Sequence, residues 1–257
     1  MGDNFVENRR TSGEIVGTAL EVYGQGFGTF FTIAVAGQFL STMGAAYLGE
    51  VSFKEPLANN LAMLVAGGAA ILLGLIPQAI QVPALIFSVD DACRGLPVSV
   101  GTAFERATAR LTWEAAWVNL ISIWLVLGGL LAGIAPGILF SLWFCLADVA
   151  VVLEGERDLG ALRRSQRLIR GHVGKAAGLI LIGVLASVLP GGAIRAVVPG
   201  VMGGVLSGMM SIFATPFQYA IHVLLYYDLK ARKEGERTPG LVSGDGAVGQ
   251  DGGGVVS

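Results

Sequence analysis

One acid of this sequence, Asp148, stands inside a long apolar run, where a carboxylate is costly and needs a partner. It precedes the next charged residue, Glu154, by six positions, about 9 Å along a helix rising ~1.5 Å per residue. His222 stands as far before Asp228, and Asn119 as far beyond Trp113. Gln81 and Gln218 lie somewhat deeper in their own apolar runs. If these runs pack as helices, Asp148, His222 and Asn119 reach one level, and such a trio could handle a proton, an ion or a lipid head group. The plainer reading gives each polar group a local helix contact, with Asp148 neutral or reaching toward the surface.

A second set of residues is cationic. The stretch from Val151 to Lys175 opens with Glu154, Glu156 and Asp158 and closes with Arg163, Arg164, Arg167, Arg170 and Lys175. Acids at the start and bases at the end suit a helix dipole. On that helix Leu159, Leu162 and Ile169 fall on one side and the four arginines on the others. A basic amphipathic helix between two apolar runs reads as lying on an anionic membrane face. Arginine also grips phosphate with two parallel bonds, so a specific head-group pocket is the narrower alternative. Glu154 is expected to pair with an arginine of its own loop or with Arg232. No Walker, H-E-x-x-H, G-x-S-x-G or C-x-x-C pattern occurs. With two histidines, and with Cys93 and Cys145 as the two cysteines, no metal, cofactor or disulfide framework is expected.

The elements that position these residues follow from composition. The chain has 257 residues, 53% hydrophobic and 14% charged, with mean hydropathy +0.67. Soluble domains carry about 25% charge, so the composition points to a membrane protein. A net charge of −2 is too near zero to point to nucleic-acid binding. The opening MGDNFVENRR has no apolar core for a cleavable signal, and Val6 stands where a myristoylation motif takes Ser or Thr.

Six spans are predicted, at about 27–48, 61–89, 115–132, 135–153, 176–194 and 201–227, each long enough for a hydrocarbon core of about 30 Å. Pro77 and Pro83 predict a kink or break in the second. The residues Gly133-Ile134-Ala135-Pro136-Gly137 predict the turn of a tight hairpin between the third and fourth. Amphipathic helices are expected at about 12–24, 99–111 and 158–170. Thr11 and Glu14 have the spacing of a capping box, and Ile15, Ala19 and Tyr23 share a face. Residues 1–10 read as a polar N-terminus, and the glycine-rich end, 237–257, as disordered. Gly204 and Gly208, four apart, suit close helix packing.

Charge placement sets orientation. Arg9, Arg10, Arg94, Arg106, Arg110, Arg157, the four arginines above, Lys175, Lys230, Arg232, Lys233 and Arg237 fall on one side, leaving Lys54 and Arg195 on the other. The positive-inside rule then puts both termini in the cytoplasm of a bacterial inner membrane. Gly17-Thr18-Ala19-Leu20-Glu21 reappears as Gly101-Thr102-Ala103-Phe104-Glu105, and more weakly as Gly160-Ala161-Leu162-Arg163. Each copy precedes a pair of spans, which predicts three units of an interfacial helix followed by a hairpin.

Two stretches carry a family resemblance. Val151-Val-Leu-Glu-Gly155, Ala161-Leu-Arg-Arg-Ser165 and Leu168-Ile-Arg-Gly171 form one; Leu224-Leu-Tyr-Tyr-Asp-Leu-Lys-Ala-Arg-Lys-Glu-Gly235 is the other. Together they resemble the six-span bacterial proteins related to the membrane domain of glycerophosphodiester phosphodiesterases, over about residues 11–236. The resemblance implies an all-α membrane fold. The phosphodiesterase activity of that family belongs to a separate soluble barrel, for which the short loops and glycine tail leave no room. The sequence therefore points to a non-enzymatic, lipid-interacting organiser of the membrane, with anionic lipid as partner and a second copy or another membrane protein as further partners. A small transporter working at the Asp148 and His222 level is the first rival, and an intramembrane lipid-modifying enzyme the second.

Overall fold

The computed structural model describes residues 10–48, 57–110, 133–156 and 159–237, with part of 117–131. Among these residues it is 90% helix without a strand, so the class is all-α. Four helices are long and apolar enough to cross a membrane: Phe27–Ala46, Ala135–Glu154, Val173–Val197 and Gly200–Lys233. The N-terminus before residue 10, the tail beyond residue 237 and Asn119 lie outside the described residues.

Helix α1 (Ser12–Gln25) starts on local chemistry. The Glu14 N–H donates to Thr11 Oγ1 (3.3 Å) and the Thr11 N–H to Glu14 Oε2 (2.7 Å), satisfying two donors a helix start leaves open. The bond from the Thr11 backbone, first among these, holds the Glu14 carboxyl below its usual range. Ile15, Ala19 and Val22 are buried, and the half-buried Tyr23 donates its hydroxyl to Phe213 O (2.9 Å). Gly26 turns the chain into α2 (Phe27–Leu48), and a Cβ there would stand 2.5 Å from the Phe30 ring.

Helix α3 (Leu57–Cys93) returns along α2. Gly37 lies against Gln81, Gly74 against Ser41, and Gly44 against Gly67 and Ile71, a descending register that only antiparallel helices give. Helix α3 runs unbroken through Pro77 and Pro83, where the sequence predicts a kink or a break. Each proline removes one bond of the helix ladder, while packing on α2 and on the last helix, α9 (Gly200–Arg237), continues to either side. Gly129 meets Gly137 and Phe140 around Gly133, whose φ of +147° suits glycine. Gly183 and Gly191 of α8 (Val173–Val197) meet Gln218 and Ser207 of α9, again antiparallel. Gly204 of α9 lies 3.0 Å, measured from an added Cβ, from Ala46 of α2, and Gly208 lies against Thr42.

Three short helices complete the fold: α4 (Val100–Arg110), α6 (Ala147–Glu154) and α7 (Leu159–Ile169). The fourth apolar run is not one rod, because α5 (Ile134–Phe144) stops at Cys145–Leu146 before α6 begins. Ser165 of α7, fully buried, fills that gap: its hydroxyl accepts from the Leu146 N–H (3.2 Å) and donates to Trp143 O (2.6 Å). The buried face of α7 is Ala161, Leu162, Ser165, Leu168 and Ile169, whereas Leu159 is 51% exposed and does not share it. Helix α4 packs on α3 and α2, α7 on α5 and α6, and α1 mainly on α9. Among the described residues α4 thus docks on the two helices before it, α7 on the run before it, and α1 on the last helix.

Candidate functional site

The charged end of the bundle is built around four acids at helix ends. Asp90 and Asp91 close α3, Glu154 closes α6, and Asp228 sits where the apolar part of α9 stops. Each holds cations. Asp90 accepts from Arg94 Nε (2.9 Å) and from the Tyr227 hydroxyl. Asp91 accepts from Arg106 (2.7 and 2.8 Å), whose guanidinium also lies 4.4 Å over the Phe87 ring. Glu154 takes the two-pronged guanidinium of Arg164 (2.7 and 2.8 Å) and the amine of Lys230 (2.8 Å). Bonding to Glu154 raises the pKa of Arg164 above that of a free guanidinium. Arg232 does not reach Glu154; one turn beyond Asp228 on the same helix, it pairs with Asp228 instead (2.9 Å).

Two of these clamps are copies of one another. Arg106 stands three residues after the buried Ala103 on α4, and Arg164 three residues after the buried Ala161 on α7. Each is held by the acid that ends the preceding long element. The third acid, Asp228, holds the segment leading into α1. It accepts from the Arg10 backbone N–H (2.7 Å) and Lys175 Nζ (2.6 Å), and the Arg10 carbonyl accepts in turn from Lys175 and Arg232. The Asp228 side chain is 1% exposed. The sequence reading singled out none of Asp90, Asp91 and Asp228. The available signal was an acid closing an apolar run, then a cation three residues past a small residue on the next amphipathic helix.

Deeper in the bundle, Asp148 occupies the first turn of α6 and is half-buried. Tyr219 meets His222 edge-on, with ring centroids 5.8 Å apart, and His222 Nε2 is buried without a hydrogen-bond partner among the described residues. Tyr219, a residue the sequence reading did not name, is the ring that meets His222 one turn along the same helix. Gln81 is fully buried against Gly37, with neither side-chain atom bonded, and Gln218 packs on Gly183 facing α8.

The arginines of α7, and Arg170 just after it, divide. Arg164 points inward to Glu154, whereas Arg163, Arg167 and Arg170 are exposed and pair with no carboxylate among the described residues. Lys233 of α9 lies beside Gly171, 3.8 Å from where its Cβ would be, and likewise has no carboxylate partner there. At the far end of α8 and α9, an apolar groove of about 540 Å³ is lined by Ile194, Val197, Leu206, Met209 and Phe213. No group of three or more His, Cys, Asp or Glu placed to hold a metal occurs among the described residues. Compared with known proteins, the chain matches no family model, no curated protein and no solved structure.

Proposed function

We propose that this chain is an integral protein of the bacterial cytoplasmic membrane that binds anionic lipid and organises the bilayer around it, without catalysis. It crosses six times as three hairpins, with both termini and the amphipathic helices on the cytoplasmic side. The observation that carries the reading is the division of the cations. Those at the acid clamps hold the amphipathic helices to the bundle, while Arg163 and Arg167 of α7, and Arg170 just after it, are exposed and pair with no carboxylate among the described residues. Each basic residue near an anionic leaflet contributes about 1 kcal/mol. Leu181, Leu185, Val188 and Leu189 of α8 are exposed, a surface that suits acyl chains, as does the groove between α8 and α9. The resemblance to the six-span relatives of the phosphodiesterase membrane domain agrees with this layout.

Lipid mass spectrometry on the purified protein tests it. The variant with Arg163, Arg167 and Arg170 all changed to Gln should lose anionic lipid, about 3 kcal/mol of attraction at ~1 kcal/mol per charge. Arg164→Gln should cost stability and leave lipid binding largely intact. Equal retention of anionic lipid by the triple variant and the parent contradicts the reading. A small transporter is the second reading, favoured by the helix break beside Asp148.

A further inference from the structure

The corner where α1 turns into α2 faces the connection from α3 to α4, and a crevice of about 360 Å³ lies between them. Gln25, Gly28, Thr29, Gly95, Leu96 and Val98 are among its walls. A smaller cavity of about 60 Å³ continues it, sharing Gln25, Ala92 and Gly95 and adding Thr18, Glu21 and Cys93. Glycine opens the corner. A Cβ at Gly28 or Gly95 would meet nothing within 4 Å, and Gly95 makes the turn after α3 with a φ of +70°. Sites for small molecules span about 300–1,000 Å³, so the crevice has room for a short organic group.

Its walls carry one negative charge, on Glu21, and no cation. Glu21 is exposed and accepts one hydrogen bond, from Gln25 Nε2 (3.2 Å). No cation pairs with it among the described residues. The nearby bases are turned elsewhere: Arg94, the first residue past α3, holds Asp90 and the Tyr227 hydroxyl, and Arg106 of α4 holds Asp91. Helix α3 ends at Cys93 with no basic residue in its last turn, so its negative end adds to Glu21 at the crevice. The end of α1 and the start of α2 adjoin across Gly26 and offset each other. The hydroxyls of Thr18 and Thr29 hydrogen-bond nothing among the described residues and stand as neutral acceptors.

We propose that this crevice binds a primary ammonium group on a short apolar stem, carried by the ethanolamine head group of a bilayer lipid or by a free amine. An ammonium presents three N–H donors. Glu21 accepts one and matches the charge, the threonine hydroxyls accept the others, and the stem lies on Leu96 and Val98. The site is separate from the arginine face of α7 and takes the opposite charge.

The purified full chain in detergent micelles tests it, with phosphatidylethanolamine against phosphatidylcholine by native mass spectrometry and free ethanolamine by titration calorimetry. The choline head group carries the same positive charge without an N–H donor. Phosphatidylethanolamine should be preferred about tenfold, or free ethanolamine should give heat of binding. Preference for the lipid with no heat from ethanolamine identifies the head group as the occupant, and heat from ethanolamine shows that the amine alone suffices. Glu21→Gln should weaken the binding about tenfold. Gly28→Leu, which fills open space on α2, should block it. Both positions are exposed, so the fold tolerates the changes. Glu105→Gln, at the matching acid of α4 outside the crevice, should leave binding unchanged. The proposal is overturned if phosphatidylcholine binds as well as phosphatidylethanolamine while ethanolamine gives no heat, or if Glu21→Gln binds as the parent does. Glu21→Gln should keep its anionic lipid, so this site and the arginine face fail separately.

Discussion

Asp228→Asn is the substitution with the largest consequence outside the lipid-facing surface. The carboxylate accepts three hydrogen bonds, two of them from cations, and its side chain is 1% exposed. Asparagine keeps one acceptor and the shape but removes the charge. Breaking a buried pair by neutralising one partner costs about 3–5 kcal/mol. Lys175 and Arg232 are 15% and 25% exposed, so both can turn toward water, and the lower figure of about 3 kcal/mol applies. At ~1.4 kcal/mol per tenfold, that is roughly two orders of magnitude in the folding equilibrium. Reversible unfolding by dodecyl sulfate in mixed micelles, followed by tryptophan fluorescence, measures it. Arg163→Gln serves as the unpaired control. Lys175→Met closes a double-mutant cycle in which the two changes should be strongly non-additive. An Asp228→Asn protein within about 0.5 kcal/mol of the parent would refute the claim that this clamp fixes α1 to the end of the fold.

Other expectations follow from the same geometry. Gly44→Ala puts a methyl 2.5 Å from Gly67 O and should cost about 2 kcal/mol, whereas Gly68→Ala, with open space around it, should be neutral or better in the same assay. Ser165→Ala leaves the Leu146 N–H and Trp143 carbonyl short of a partner inside the bundle, for about 1–3 kcal/mol; an unchanged unfolding midpoint would disprove the hydroxyl's role. Burial, with Asp90 adding to it, pushes the Cys93 thiol up to about 12, so native protein should react with a maleimide about 100-fold or more slower than the unfolded chain. Matching rates would show that Cys93 is open to solvent.

What could be read from the sequence was what is decided locally. Thr11 and Glu14 are three residues apart, and their reciprocal bonds need nothing from the rest of the chain. Apolar runs declare themselves as long helices because every member shares one solvent. The clamps are different: Asp228 meets Arg10 across 218 positions, and nothing local marks the two as partners. Ser165 was hidden for another reason. A serine among arginines on an amphipathic helix reads as part of the wet face, yet one turn of rotation puts it in the core against the gap in its neighbour. The same rotation exposes Leu159 and turns Arg164 inward. In an 11-residue helix with polar and apolar residues mixed, tertiary contacts choose the face. Pro77 and Pro83 show the converse, since α3 continues as helix through both prolines while packed on α2.

The central claim is that the acid-clamped end faces the cytoplasm, with its interfacial helices on the inner leaflet. Single cysteines in a Cys93→Ala, Cys145→Ala background, probed with a membrane-impermeant maleimide on intact cells, test it most directly. Cysteines at Ser52 and Val198 should react from outside, and those at Ser99, Glu156 and Gly171 only after the cells are opened. Labelling of Ser99, Glu156 or Gly171 positions from outside would contradict the account.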